Sequence, residues 1–483
     1  MPSRADVFGM PVAFGIDAET GAPLSGMDAA AFRDISSTGR DQFVSREDLA
    51  AKADLDEAHF GVLGDVDPRD LSQSGWAVVF CSSAGRNIRE ALQPLLDRRK
   101  AQTGGGDLFK VFEEDTGYQP GDTATTWLAR RHVRMDVVDP ALGVPFYVLL
   151  VAPPEEIPFE FQYGLDLYWA VGRLWFETAD EFRRYAESVL HYDDLPAPPT
   201  SRQMAVFATR HDFDQATQMF SNEVAETMVN GSAGAIGQRQ KFRLQPFIGD
   251  PATKGSLHGI FAGSIEHGSP ALLFSGGHGM SFRADDPRQE GSQGALVTQD
   301  WTGYGKIGRD QIFDASDLST NAKIHGLIHV LFACYGGGCP QYDNFNRLEG
   351  VPKQIATRPM LARLPQALLA HPEGGALAVL AHIDRAWSYS FRAGKTPQTQ
   401  GFRDVIGRIM RGDRLGQATD QFNIRWAALS TELSEMLDQM RQGLQTDPKR
   451  LASLWVARDD ARNYMLFGDP AVRLREENMP VLA

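Results

Sequence analysis

Short apolar runs that alternate with amphipathic helical stretches constrain this chain more than any other feature. The runs are Gly75-Trp-Ala-Val-Val-Phe-Cys81, Phe146-Tyr-Val-Leu-Leu-Val-Ala152, Met204-Ala-Val-Phe-Ala208, Ala271-Leu-Leu-Phe-Ser275, Leu327-Ile-His-Val-Leu-Phe-Ala333 and Ala376–Ala381. Nearly continuous apolar runs of this kind predict strands buried on both faces. Between them, Asn87–Arg99, Phe213–Met228, Thr253–Phe261 and Met360–Leu369 predict helices. Another helix begins at Thr178, where Glu181 three residues on completes a capping box, and continues through Phe182, Tyr185, Val189 and Leu190. Strands separated by helices predict a layered α/β protein with mostly parallel sheets. From Gly401 to Gln442 the period turns helical, with Ile424, Ala427, Leu429, Leu433, Met436 and Met440 along it.

At 483 residues the chain is too long for one compact core. Asp193-Asp-Leu-Pro-Ala-Pro-Pro-Thr200 is the clearest linker, because its prolines stop a helix. The expected division is an extension over 1–65 with no assigned role and a first α/β subdomain over 66–200. A second α/β subdomain, 201–395, and a helical region, 396–483, complete it.

The formal charge of −14 disfavours a nucleic-acid groove, which needs clustered Lys and Arg. Three cysteines, Cys81, Cys334 and Cys339, are too few for a disulfide scaffold and suit a reducing compartment. Met1–Gly15 lacks a basic segment followed by a continuous apolar one, so no signal peptide is expected. No stretch approaches the roughly 18 apolar residues of a membrane span. A cytoplasmic location follows as the expectation.

Two strand ends carry the chemistry. Leu272-Leu-Phe-Ser-Gly-Gly-His-Gly279 opens from a strand into glycines around His278, and Val330-Leu-Phe-Ala-Cys-Tyr-Gly-Gly-Gly338 does the same after Cys334. In parallel α/β sheets ligands sit beyond the carboxyl ends of the strands, so neighbouring strands would bring His278 and Cys334 to one edge. Their order and spacing suit a caspase-type nucleophile and acid/base pair. The glycines admit backbone N–H groups close to a substrate carbonyl. A lone strand-end cysteine is otherwise a small buried hydrophobe, and a lone histidine a structural residue.

Over roughly residues 75 to 475 the chain resembles the gingipain-type cysteine peptidases of the caspase-like clan. The matching fragments are Pro145–Val151, Ala170-Val-Gly-Arg173 with Thr178, Gly249-Asp-Pro-Ala-Thr253, Gly276-Gly-His-Gly279, Ala333-Cys334, Gly374–Val379 and Phe467-Gly-Asp-Pro-Ala471. The resemblance implies two α/β subdomains with the dyad in the second, which is caspase-like. It implies that Cys334 attacks the scissile carbonyl to give an acyl-enzyme and that His278 serves as its acid and base. It further implies that the backbone N–H groups of Gly279 and Cys334 form the oxyanion hole, with a polypeptide as substrate and no cofactor or metal. The leader and adhesin-like regions of gingipains are not found, so an intracellular, regulated endopeptidase is expected, with room for a regulatory protein partner.

Trp387 could wall the pocket for the residue before the cut, and Asp384 and Asp343 are candidates to pair with a basic residue there. Cys339, five residues past Cys334, is a second thiol. His258, His267, His325, His329 and His382 lack the His-Glu-x-x-His spacing of a zinc hydrolase. Gly303-Tyr-Gly-Lys-Ile-Gly308 follows no strand and reads as a loop, and no Gly-x-Ser-x-Gly elbow occurs. The loop Phe282–Thr298 is a candidate switch. The alternative function is a non-catalytic binding or scaffold protein that retains the caspase-like fold.

Overall fold

The computed structural model describes residues 12–28, 31–33, 46–53, 61–231, 234–348, 351–445 and 447–482. A three-residue strand, β1 (Gly15–Asp17), comes first among the described residues. Then follow β2 (Trp76–Phe80), β3 (Phe109–Phe112), β4 (Tyr147–Val151), β5 (Ala170–Leu174), β6 (Ser201–Ala208) and β7 (Arg243–Ile248). Next come β8 (Pro270–Gly276), β9 (Gly279–Ser281), β10 (Leu296–Val297), β11 (Ile312–Phe313) and β12 (Ile328–Phe332). Two more sheet strands, β13 (Ala378–His382) and β14 (Tyr464–Phe467), are used below. The helices used are α1 (Arg86–Thr103), α2 (Ala179–Asp194), α3 (Gln215–Phe220), α4 (Gln400–Met410), α5 (Asp420–Arg441) and α6 (Pro448–Arg462).

The protein is layered α/β, with a ten-stranded sheet in the order β3-β2-β4-β5-β14-β13-β12-β8-β6-β7. Every neighbouring pair is parallel except β13 with β14. That antiparallel contact joins two parallel halves that run in opposite directions. The expected strands are all present, and β2, β4, β8, β12 and β13 are buried along their whole length. Four strands of this sheet went unforeseen. β3 and β7 are edge strands that mix in Lys110, Arg243, Gln245 and Pro246, as the solvated edges of a sheet allow. β5, Ala-Val-Gly-Arg-Leu, hides its signal behind a glycine and an arginine, and β14 has only four residues.

The helix from Thr178 forms as the capping box predicts: Thr178 Oγ1 accepts from the Glu181 amide, and Glu181 Oε2 accepts from the Thr178 amide at 3.1 Å. It ends at Asp194, before the prolines, and the chain enters β6 at Ser201. The stretch expected to be helical after residue 396 supplies α4, α5 and α6 and then returns as β14, at the junction between the two halves of the sheet.

Two motifs at that junction have structural explanations. Arg173, fully buried on β5, donates to Gln162 Oε1 at 2.8 Å and to the carbonyls of Ile157 and Ala152 at 2.8 and 3.2 Å. Burial lowers its pKa to about 10, which leaves it charged near neutrality. Asp469, also fully buried, accepts from Arg99 Nε at 2.7 Å, Trp76 Nε1 at 2.9 Å and its own turn at the Ala471 amide, 2.9 Å. One carboxylate thereby ties the turn after β14 to β2 and α1. Asp469→Ala strands the buried Arg99 guanidinium, and the expected loss is about 3–5 kcal/mol, read as a lower urea midpoint. An unchanged midpoint would show that Asp193, 3.5 Å from Arg99, suffices alone.

Candidate active site

The site is built where four neighbouring strands end on the same edge. In the order β13-β12-β8-β6, Leu331 pairs with Ala381, Phe332 with Gly276, and Ala208 with Gly276. The segments leaving these strands therefore lie side by side. They carry Ala386–Ser388, Cys334, His278 and Asp214, respectively.

Close approach explains the glycines. A Cβ on Gly279 would fall inside the backbone carbonyl of Cys334, and one on Gly276 inside the ring of Phe220. Side chains at either place would hold the histidine and cysteine segments apart. Tyr335, directly after the cysteine, takes φ +59°, the left-handed region a bulky residue rarely adopts. Its amide donates to the Asp384 carbonyl at 2.9 Å, and the ring is buried, so the surroundings hold the turn that aims Cys334.

His278 and Cys334 are both fully buried. His278 Nε2 lies 2.9 Å from Asp214 Oδ2, and the other ring nitrogen, Nδ1, has no hydrogen-bond partner. Asp214 is the N-cap of α3 and accepts from the Thr217 amide at 2.9 Å. Burial works to raise its pKa, but the charge and hydrogen bond of His278, with the Thr217 bonds, overcome this and bring it down to about 2. Near neutrality Asp214 is a carboxylate that fixes the plane of the imidazole and leaves Nδ1 for other chemistry. The sequence reading passed over Asp214 because it began that helix at Phe213. Its signal was an aspartate capping the helix that follows β6, the neighbour of β8. The helix then continues through a π-helical segment, Ser221–Ala225, to Asn230.

Cys334 Sγ accepts from the Ala386 amide at 3.2 Å and lies 3.6 Å from the Ala386 carbonyl oxygen. Burial pushes the thiol well above its ordinary pKa, so in this closed arrangement it holds its proton. The amides expected to form an oxyanion hole converge on a single point: Gly279 N and Cys334 N donate to one oxygen at 3.0 and 2.9 Å. That oxygen is the backbone carbonyl of Phe14.

The remaining candidates lie nearby with partners of their own. Asp343 is ion-paired to the buried Arg385 at 2.6 Å. Asp384 accepts from Asn344 Nδ2 at 3.1 Å and from the Arg385 amide at 2.7 Å. Burial first, and the Asp343 charge second, raise Asp384 to about 7. Trp387 is buried, with its ring 5.1 Å from that of Phe345. Its amide donates to Asp460 Oδ1 at 2.8 Å, and Ser390 Oγ donates to Asp460 Oδ2 at 2.7 Å. Asp460, on α6, thus braces the segment beside Cys334, a support that sequence spacing did not reveal.

Cys339 is buried, with Gln293 Nε2 at 3.5 Å. The other histidines are dispersed: His329 meets Ser275 Oγ at 2.7 Å, His382 the Asp460 carbonyl at 3.1 Å and His325 the Ser188 carbonyl at 2.9 Å. Among the described residues no cluster of His, Cys, Asp and Glu is arranged as a metal site. No helix there is long and apolar enough to cross a membrane. The Phe282–Thr298 loop holds a helical turn, Gln289–Ser292, and β10.

No curated protein matches the chain. Among solved structures it is similar to the Arg-specific cysteine proteinase gingipain R (RGPB), with 14% identity and a TM-score of 0.47, over 84% of this chain and 79% of that one. It is similar to the complex of Porphyromonas gingivalis RgpB pro- and mature domains, with 12% identity and a TM-score of 0.45, over 83% and 80% of the two chains. A weaker likeness, 10% identity and TM-score 0.31, links 67% of it to 15% of a chain of the Saccharomyces cerevisiae separase–securin complex. The model of peptidase family C25 matches residues 145–475, a span that takes in β4 to β14 and all four strand ends of the site. The chain belongs to peptidase family C25 and is a cysteine-type peptidase.

Proposed function

We propose that the chain is an endopeptidase that works through Cys334 and His278, with Asp214 orienting the imidazole. The observation that carries this reading is the convergence of the Gly279 and Cys334 amides on one carbonyl oxygen beside the Cys334 thiol. Two such donors stabilise the oxyanion of a tetrahedral intermediate, and removing one typically costs on the order of 100-fold in rate. His278 takes the Cys334 proton, the Sγ thiolate attacks the scissile carbonyl carbon, and His278 passes that proton to the departing amine. A water that gives its proton to His278 then hydrolyses the thioester. Asp214 remains ionised throughout and stabilises the imidazolium.

The reading extends to regulation and to a cytoplasmic location. Both Cys334 and His278 are sealed from solvent, so substrate must replace what covers them. The three cysteines are free and buried, which suits a reducing compartment. Cell fractionation that recovers the protein outside the cytoplasm would remove that part. A non-catalytic scaffold is the second reading, favoured by the same sealed site. A thiol-directed peptide probe is expected to label Cys334, alongside cleavage of a mixed peptide library. Absence of both labelling and cleavage would favour the scaffold.

A further inference from the structure

The carbonyl held by the two amides belongs to an extended segment that crosses the site. Phe14 N donates to the Ala386 carbonyl at 2.8 Å, and Ser388 N donates to the Val12 carbonyl at 3.0 Å. Val12 N donates to Ser388 Oγ at 3.1 Å, and Ala13 bridges Trp387 in antiparallel fashion. The chain then continues as β1, parallel to β9, with Gly15 opposite Gly279. A Cβ on Gly15 would lie 2.5 Å from Leu24 Cδ1 and 2.9 Å from both Cβ and Sγ of Cys334. The residue after the held carbonyl is therefore one that leaves room for the thiol.

The Phe14 ring is fully buried, with the rings of Phe332, Phe391 and Phe220 edge-on at centroid distances of 4.8, 5.8 and 6.0 Å. This is an aromatic pocket. The acids that would suit a basic side chain, Asp343 and Asp384, are engaged with Arg385 and Asn344. A segment that merely filled a gap with its side chains would have no need to set its carbonyl between two amides at the nucleophile. This one lies in the register of a peptide about to be cut.

We propose that Val12–Asp17 occupies the cleft as a substrate in cis, that Phe14–Gly15 is the bond presented to Cys334, and that the site cuts after an aromatic residue and before a small one. This rests on the peptidase reading above. His278 takes the Cys334 proton, and the thiolate adds to the Phe14 carbonyl carbon. The bond to Gly15 N breaks as His278 protonates that nitrogen, leaving a Phe14 thioester. Water supplies hydroxide to the acyl carbon and a proton to His278, the C–S bond breaks, and the thiolate is restored. The products are a carboxylate at Phe14 and an amine at Gly15. The part beyond the cut stays anchored: Leu24 N donates to the Gly15 carbonyl at 2.9 Å, and Arg385 donates to the Ser25 carbonyl. Among the described residues, the part before it is held by the buried Phe14 ring and by backbone bonds to Ala386 and Ser388, and its departure opens the cleft.

The test is amino-terminal sequencing and intact mass of the purified full chain over time, beside Cys334→Ala. A chain beginning at Gly15 is expected from the wild type and not from Cys334→Ala. The synthetic peptide Val-Ala-Phe-Gly-Ile-Asp is expected to be cut between Phe and Gly. Arginine in place of that phenylalanine is expected to lower kcat/KM at least ~50-fold, because the pocket leaves the charge unpaired. If library peptides are cut while no Gly15 terminus forms, or the arginine peptide is cut as well, this inference fails and the peptidase reading stands. A Gly15 terminus in Cys334→Ala also overturns it. If no peptide is cut and no probe reacts, the peptidase reading fails with it.

Discussion

Cys334→Ala is expected to abolish peptide cleavage, lowering kcat/KM by ~10⁴-fold or more, and to leave the fold intact. The size follows from the proposed mechanism: without the sulfur no acyl-enzyme would form, and the acid/base and oxyanion groups would have no covalent reaction to assist. The structural cost is small. Sγ gives up its bond from the Ala386 amide at 3.2 Å, while the Cys334 amide keeps its place. The thermal midpoint should therefore move by only a few degrees. Cys339→Ala is the control, since Cys339 lies past the turn and meets Gln293 and the Pro340 carbonyl. It should keep activity within about threefold of the parent. Residual cleavage by Cys334→Ala above a tenth of the parent rate would remove Cys334 as the nucleophile.

Asp214→Asn is expected to lower kcat by about 100-fold or more with a smaller change in KM. The asparagine keeps the shape but removes the charge that stabilises an imidazolium. It also makes the group facing Nε2 ambiguous between donor and acceptor. A structural role alone would weaken the protein without this split between kcat and KM.

The same substitution has a pH signature. The Asp214 carboxyl titrates near 2 in the folded protein, below its ordinary value of 3.8. A carboxyl lowered by folding contributes stability that is fully present above the unfolded pKa. That contribution fades as the pH falls through the folded one. It corresponds to about 2 kcal/mol. The stability advantage over Asp214→Asn should accordingly hold above pH ~5 and disappear between pH ~4 and ~2. Urea midpoints for both proteins across that range check it, and a difference independent of pH would show that the carboxylate charge is not the cause.

How much was legible follows from where each group sits. The candidates His278 and Cys334 stood out because each follows a mainly apolar strand and precedes glycine, Gly279 directly after the histidine and Gly336 after Tyr335. The close contact of Gly279 with the Cys334 carbonyl gives that pattern its physical reason. Asp214 was not singled out, because an aspartate before a helix is an ordinary cap. Only the pairing of β6 with β8 sets it against His278. Asp460 is remoter still: it reaches Trp387 and Ser390 across 73 and 70 residues of sequence. Val12–Asp17 was the least visible. Its six residues, Val-Ala-Phe-Gly-Ile-Asp, show no period by themselves and become a strand only against β9 and Ala386–Ser388.

The sequence by itself determined the alternation of strands and helices, the two glycine-bearing strand ends and the capping box that starts the helix after Thr178. All of these depend on neighbours a few residues apart. The tertiary structure decided the rest: the order that lays β13, β12, β8 and β6 side by side, the junction at β14, the carboxylate behind His278 and the segment across the cleft. Those depend on contacts between residues far apart in the chain, which the packing of the sheet brings together and no local pattern encodes.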